Sequence, residues 1–133
     1  MALNLEFQDN VAVLRHDDGK RNVFSPDSIR DFNEALDEVE AKRAALMWMG
    51  REDCFSAGFD LKIVKSGDAD AAAAMVQAGG ELAFRIFTFP HPVVCAVTGH
   101  CLALGSVMLV CADKRIGMAG DFKYGLNETA IDM

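Results

Sequence analysis

The stretch HPVVCAVTGHCLALGSVMLVCA, residues 91–112, decides the fold of this chain. Its first part, residues 92–98, is a short apolar run without polar alternation, which is typical of a strand covered on both faces. Residues 99–105 begin and end in glycine and predict a loop. Residues 105–112 are apolar all round and predict a buried helix. A buried strand, a glycine loop and a helix in this order are typical of α/β proteins with a parallel sheet.

An earlier part of the chain repeats this order. Residues 44–49 form a second apolar run, and residues 56–60 contain a second glycine loop. Residues 70–87 predict a helix, which the pair Gly79-Gly80 weakens in its middle. In open α/β sheets, ligands bind at the carboxyl ends of the strands. Both glycine loops therefore lie where a ligand site is expected.

The two ends of the chain predict further strands. Residues 3–7 and 11–16 alternate apolar and polar side chains, which indicates a half-buried hairpin. Residues 115–118 and 122–124 predict two short strands near the other end. The predicted order begins and ends with a pair of strands, and alternating strands and helices stand between them.

A helix is predicted directly after the hairpin. Ser25 has the residue type of an N-cap, Pro26 suits the first helical position, and Asp27 places an acid in the first turn. Apolar residues then recur at spacings of three and four and predict one buried stripe. These residues are Ile29, Phe32, Leu36 and Val39.

Composition and charge exclude several classes of protein. The length of 133 residues predicts a single domain or a piece of one, and a hydrophobic content of 51% with 25% charged residues excludes disorder. The formal net charge is -7, whereas a general binder of nucleic acid or of anionic membranes carries the opposite sign. We therefore expect neither a nucleic-acid partner nor a membrane partner.

Targeting and cysteine patterns indicate a cytoplasmic protein. The longest apolar stretch is too short to cross a bilayer, and the first ten residues lack the basic and apolar segments of a secretory signal. The four cysteines form no CxxC pair, and most lie in apolar runs. The spacing of His91, His100, Cys95 and Cys101 fits no zinc pattern, so no metal site is expected.

The two glycine loops are the candidate site of chemistry. Small residues around Gly58 allow backbone N–H groups to approach a ligand closely. The second loop ends at a predicted helix N-terminus, where unpaired amides favour negative charge. Two such amides aimed at one point would form an oxyanion hole. Taken alone, glycine loops before helices more often serve turning and packing.

Several motifs together resemble one family. CFSAGFDLK at residues 54–62, HPVVCAVTGHCLALGS at residues 91–106 and ADKRIG…FKYGLNET at residues 112–129 resemble, in order and spacing, the enoyl-CoA hydratase/isomerase family, also called crotonases. KRNVFS at residues 20–25 is similar to the substrate segment of that family. Several motifs that agree in order are more specific than one glycine loop.

The resemblance implies a fold, a substrate class and an assembly. The fold would be α/β, with a crotonase-like ββα repeat core and a largely parallel sheet flanked by helices. The substrate would be an acyl-CoA thioester, with coenzyme A as part of the substrate and no separate cofactor. The resemblance also implies an assembly into homotrimers or hexamers, which is usual in the family. The family continues for about as long again beyond this chain, so residues 1–133 would be the N-terminal part of a single acyl-CoA-binding domain that lacks its C-terminal helical part.

The resemblance also implies site residues. The two oxyanion donors would be the backbone amides of Phe59 and Leu104. Leu104 departs from the family, which has a run of three glycines where this chain reads Ala103-Leu104-Gly105. Any residue except proline can donate a backbone amide, although a side chain at this position could narrow the acyl pocket. The substrate and coenzyme A contacts implied are Lys20, Arg21, Val23, Ala57, Gly58, Asp60, Leu61 and Gly105.

The catalytic carboxylates separate two reactions within the family. Hydratases carry two glutamates, of which one matches Glu128 and the other falls on Val107. A single carboxylate suits a base that shuttles a proton, as in the Δ3,Δ2-enoyl-CoA isomerases that this pattern resembles. A 2-enoyl-CoA hydratase that uses Glu128 alone, and a non-catalytic acyl-CoA binder, are the alternatives. On residue type alone, Glu128 would be a solvated or capping residue, and Asp60 would hydrogen-bond local backbone.

Overall fold

The structure is a computed structural model that describes residues 2–131. Ten strands and four α-helices occur in these residues, followed by a short 3-10 helix. The strands are β1 (Leu3–Gln8), β2 (Val11–His16), β3 (Val23–Phe24), β4 (Ala45–Met49), β5 (Asp53–Ser56), β6 (Gly58–Phe59), β7 (Val93–Val97), β8 (Gly99–Leu102), β9 (Lys114–Gly117) and β10 (Tyr124–Gly125). The helices are α1 (Pro26–Ala41), α2 (Leu61–Val64), α3 (Ala69–Phe87), α4 (Leu104–Cys111) and the 3-10 helix (Glu128–Ile131).

The main sheet has five strands in the order β1-β2-β4-β7-β9. The hairpin pair β1 and β2 is antiparallel, and every later pair in this sheet is parallel. Two small parallel sheets follow, one in the order β10-β8-β5 and one of β3 with β6. The predicted α/β class with a largely parallel sheet is confirmed.

The core lies between the main sheet and the helices that cover it. Helix α1 begins as predicted, because the Ser25 hydroxyl accepts from Ser28 N at 3.1 Å and the Ser28 hydroxyl accepts from Ser25 N at 2.8 Å. The predicted stripe of α1 is buried. Phe32 of this stripe belongs to an aromatic cluster, whose other members are His16, Phe24, Trp48 and Phe55.

The structure differs from the sequence prediction at the second glycine loop. Residues 99–102 are a strand, because β8 pairs with β5 on one side and with β10 on the other. Helix α4 begins at Leu104, and the last predicted strand lies at Tyr124–Gly125 instead of residues 122–124. The prediction that α4 is buried all round is wrong, because Val110 is 72% exposed on its outer face.

No helix among residues 2–131 is long and apolar enough to cross a bilayer.

Candidate functional site

The second loop turns sharply at Ala103. This residue has φ 53° and ψ -126°, a conformation that costs a non-glycine residue about 1–3 kcal/mol. The backbone amide of Ala103 is hydrogen-bonded, because Ala103 N donates to Gly125 O at 2.9 Å. The turn places Leu104 at the first position of α4, where a backbone N–H has no partner within the helix. Among residues 2–131 no acceptor outside the helix is found for the Leu104 amide either.

The first loop is held in place by its pairing with β3, which lies in the predicted substrate segment. Gly58 and Phe59 form β6, which runs parallel to β3. Asp60 N donates to Phe24 O at 3.0 Å. Because successive amides of an extended chain point to opposite sides, the Phe59 N–H points away from β3.

The two loops meet at Gly58. Its φ of +93° is one that side chains rarely adopt, and an added Cβ would lie 2.6 Å from Ala103 Cβ. The same Cβ would lie 3.3 Å from Leu104 N. The residue directly before Phe59 thus contacts the predicted second donor, and the two donor segments are neighbours in space.

The side chains of the two predicted donor residues lie together against α3. An added Cβ at Gly79 would be 2.5 Å from Phe59 Cε1 and 2.9 Å from Leu104 Cδ2. Leu104 is only 6% exposed, and Phe59 packs against the core. The leucine that replaces a family glycine therefore fills the space between α4 and α3.

A buried polar network joins residues 56–60, the donor loop that contains the predicted donor Phe59, to residues 20–25, the predicted substrate segment. Asn22 Nδ2 donates to His16 O at 2.6 Å, and to Cys54 O and Phe55 O at 3.2 Å each. Ser56 Oγ donates to Asn22 O at 2.7 Å and accepts from Gly58 N at 3.1 Å. Sequence reasoning assigned no role to these two residues. The sequence offered one signal for them, because Asn22 in KRNVFS and Ser56 in CFSAGFDLK are small polar residues within the recognised motifs.

The predicted coenzyme A residues are partly brought together. Lys20, Arg21, Val23 and Asp60 line one groove of about 310 Å³, with Lys62 and Asp18 beside them. The other predicted contacts, Ala57, Gly58, Leu61 and Gly105, do not line this groove. Asp60 Oδ1 accepts from Lys62 N at 3.0 Å and caps α2, as expected for a carboxylate that bonds local backbone.

Glu128 is half-buried in the 3-10 helix that follows β10. The strand is held close to the donor segment, because Gly125 O accepts from Ala103 N at 2.9 Å and from Ser106 Oγ at 3.0 Å. Glu128 is the third residue after Gly125, so their Cα atoms are at most about 11 Å apart. The connection limits how far Glu128 can lie from β10, and its catalytic role stays a prediction.

Val107 lies in α4 and lines an open groove of about 260 Å³. The other residues of this groove are Ser106, Val110, Gly125 and Leu126. None of these five residues carries a carboxylate, so the groove offers apolar contact and no side-chain base.

The cysteines and histidines do not form a second reactive centre. Burial raises the pKa of Cys95 and of Cys101 to about 12, so both thiols stay protonated at neutral pH. His100 Nδ1 accepts from Lys123 N at 3.0 Å, and the ring packs edge-on against Phe122. Residues 2–131 contain no cluster of three or more metal-ligating side chains.

Comparison with known proteins gives consistent matches. A family model described as enoyl-CoA hydratase/isomerase matches residues 6–133. A probable enoyl-CoA hydratase of Bacillus subtilis is 31% identical over 131 residues, which are 96% of this chain and 50% of that protein. The chain spans about half the length of the curated relatives it matches.

Solved structures are similar over nearly the whole chain. A protein of the enoyl-CoA hydratase/isomerase family from Pseudomonas syringae is 42% identical with a TM-score of 0.96, and the match covers 99% of this chain and 57% of that one. The apo form of the Mtb enoyl-CoA isomerase is 37% identical with a TM-score of 0.90, with coverage of 99% and 57%.

Proposed function

The chain belongs to the enoyl-CoA hydratase/isomerase family, and on that premise we propose that the protein moves the double bond of a 3-enoyl-CoA to the 2-position. The observation that carries this proposal is Val107, which lines an apolar groove at the position where hydratases of the family carry a second glutamate. With that carboxylate absent, one base remains. A single base suits proton transfer between two carbons better than the activation of water between two acids.

The proposed reaction uses one carboxylate and two backbone amides. Glu128 removes a proton from C2, and the electron pair of that C–H bond passes into a dienolate whose charge lies on the thioester oxygen. The amides of Phe59 and Leu104 donate to that oxygen. Glu128 then returns its proton to C4, and the 2-enoyl thioester forms. The proton that leaves C2 is the proton that C4 receives, so no co-reactant is needed.

The two amides would supply much of the rate. Removal of one oxyanion donor typically costs about 3–4 kcal/mol. The turn at Ala103 supports such a role, because it directly precedes the first amide of α4, which has no helical partner. Backbone strain such as that of Ala103 is often found at functional sites.

The groove beside β3 suits the coenzyme A portion of the substrate. Its cationic side chains, Lys20, Arg21 and Lys62, would face the phosphates, although the acids Asp18 and Asp60 lie in the same groove. We further propose that the protein acts in the cytoplasm as a homotrimer or hexamer, without a separate cofactor. Analytical ultracentrifugation of the full-length protein tests the assembly.

Glu128→Gln in the full-length protein tests the base. Glutamine keeps the shape of the side chain and removes its basicity, so we expect isomerisation of a 3-enoyl-CoA to fall at least 100-fold. The product is followed by the absorbance of its conjugated thioester. Thr129→Ala, at the exposed next residue, is the matched control and should keep the wild-type rate. A wild-type rate in Glu128→Gln would contradict the proposal.

Hydration is the second candidate, because the curated Bacillus subtilis relative is named a probable enoyl-CoA hydratase. The discriminating substrate is crotonyl-CoA. A hydratase consumes its conjugated absorbance by adding water, whereas an isomerase leaves it in place. Binding of both isomers without turnover of either would indicate a non-catalytic acyl-CoA binder.

A further inference from the structure

We propose that Ser56 is a positioning residue that sets the separation between the two oxyanion donors; this inference rests on the proposed function. Ser56 does not touch the substrate in this proposal. It acts through the backbone on either side of the candidate oxyanion hole, and three sets of contacts support the assignment.

The first contacts fix the segment of the Phe59 amide. The Ser56 side chain is fully buried, and its hydroxyl accepts from Gly58 N at 3.1 Å. The same hydroxyl donates to Asn22 O at 2.7 Å. With both partners satisfied, the hydroxyl holds the peptide just before Phe59 at one distance from the substrate segment.

The second contacts fix the segment of the Leu104 amide. Gly105 packs directly on Ser56, because an added Cβ at Gly105 would lie 2.9 Å from Ser56 Cβ and 3.1 Å from Ser56 O. The backbone of Ser56 is also paired with Cys101 in the β5–β8 ladder. Ser56 therefore contacts the residue before one donor and the residue after the other.

The third observation concerns the ladder itself. The register of β5 against β8 shifts between Cys54 and Ser56, so the ladder is irregular just before pairing resumes between Ser56 and Cys101. An irregularity of this kind disrupts the ladder locally, so backbone pairing holds the strands less regularly at this point. The Ser56 side chain adds a second contact at this point, and in our proposal it sets how far apart the two loops lie.

Ser56→Ala tests this role in the full-length protein. Alanine keeps the Cβ that meets Gly105 but leaves Gly58 N and Asn22 O without their partner. We expect kcat for a 3-enoyl-CoA to fall about ten-fold with KM within about two-fold, because a loosened donor weakens binding of the transition state more than of the substrate.

A spectroscopic measurement separates positioning from simple destabilisation. Two well-placed donors polarise the carbonyl of bound crotonyl-CoA and lower its stretching frequency. We expect Ser56→Ala to return that frequency part of the way toward its value in solution. Ser28→Ala is the matched control, because it removes another buried serine hydroxyl, one that donates to Val23 O at 3.1 Å. It should lower Tm and leave the carbonyl frequency at the wild-type value.

The carbonyl measurement distinguishes a failure of the Ser56 role from a failure of the proposed function. If the carbonyl stretching frequency is lowered in the wild type and equally lowered in folded Ser56→Ala, the role of Ser56 is overturned and the proposed function stands. No shift in the wild type overturns the proposed function, and the role of Ser56 with it. Should Ser56→Ala fail to fold, Gly105→Ala decides instead, because its added Cβ pushes on Ser56 from the other side and should produce the same partial return.

Discussion

Ala103 shows most directly how one residue shapes the candidate site. Its backbone has a positive φ, and its Cβ occupies the space that a Cβ on Gly58 would need. Glycine adopts this conformation without a steric penalty. The alanine therefore maintains a turn that the family makes with glycine, at a cost in stability.

Ala103→Gly is expected to stabilise the protein by about 1 kcal/mol, because release of the backbone strain exceeds the entropy that glycine adds to the unfolded chain. Urea unfolding of the full-length protein measures the change. Ala12→Gly, in a buried strand position without a positive φ, is the matched control and should destabilise. Equal losses of stability in the two variants would show that Ala103 is not strained.

At the scale of elements, two adjacent glycines of α3 differ in their surroundings, because only one of them faces the predicted donor residues. Gly79 faces Phe59 and Leu104, whereas an added Cβ at Gly80 would meet nothing within 4 Å. The helix runs unbroken from Ala69 to Phe87 through this pair. Gly79 is therefore required by packing, and Gly80 is not.

Gly80→Ala should stabilise the protein by about 1 kcal/mol through helix propensity alone. Gly79→Ala should destabilise it by about 1–3 kcal/mol, because its Cβ would displace the Phe59 ring. The same displacement should lower the isomerase rate. The two variants differ by one position in the same helix, so each is the control for the other. Thermal unfolding and turnover are the measurements, and equal effects at both positions would contradict the packing argument.

The longer elements were predictable from the sequence, and the short ones were not. Helix α1 and strands β4 and β7 have clear caps or apolar runs, so their side chains alone indicate them. Strands such as β3 and β6 have two residues each. They are held by backbone pairing between distant segments, which leaves no period in the sequence.

The candidate site was predictable to the same extent. Family motifs indicated Phe59 and Leu104, and the structure brings their segments together at Gly58. The network of Asn22 and Ser56 depends on which carbonyl lies opposite each side chain. These carbonyls belong to distant segments that strand pairing brings together, so the residue types alone did not predict the hydrogen bonds.

At the scale of the whole molecule, the stability should depend on one buried histidine. His16 lies in the aromatic cluster, and neither ring nitrogen has a hydrogen-bond partner among residues 2–131. Burial lowers the pKa of His16 to about 4, against weaker opposing effects of Asp18 and Asp17. The folded protein therefore keeps this ring neutral at a pH where the unfolded chain protonates it.

Because the unfolded state binds the extra proton, this contribution to stability is complete above about pH 6.5 and is lost as the pH falls toward 4. The loss should be about 3 kcal/mol. His16→Leu should flatten the dependence of the unfolding free energy on pH in this range. The substitution leaves no former hydrogen-bond partner unpaired, because the His16 ring has none among residues 2–131. Urea unfolding from about pH 4.5 to about pH 7.5, which covers most of the range between the two pKa values, measures the slope of the unfolding free energy against pH. The slope is compared between the wild type and His16→Leu. Identical slopes would contradict the assignment.

The aromatic cluster also provides an optical probe of the donor loop. Trp48 is the one tryptophan in these 133 residues, and its ring centroid lies 4.9 Å from that of Phe55. Phe55 directly precedes Ser56, so a shift of the donor loop changes the surroundings of the indole. Its fluorescence emission can therefore report ligand-induced rearrangement without any attached dye.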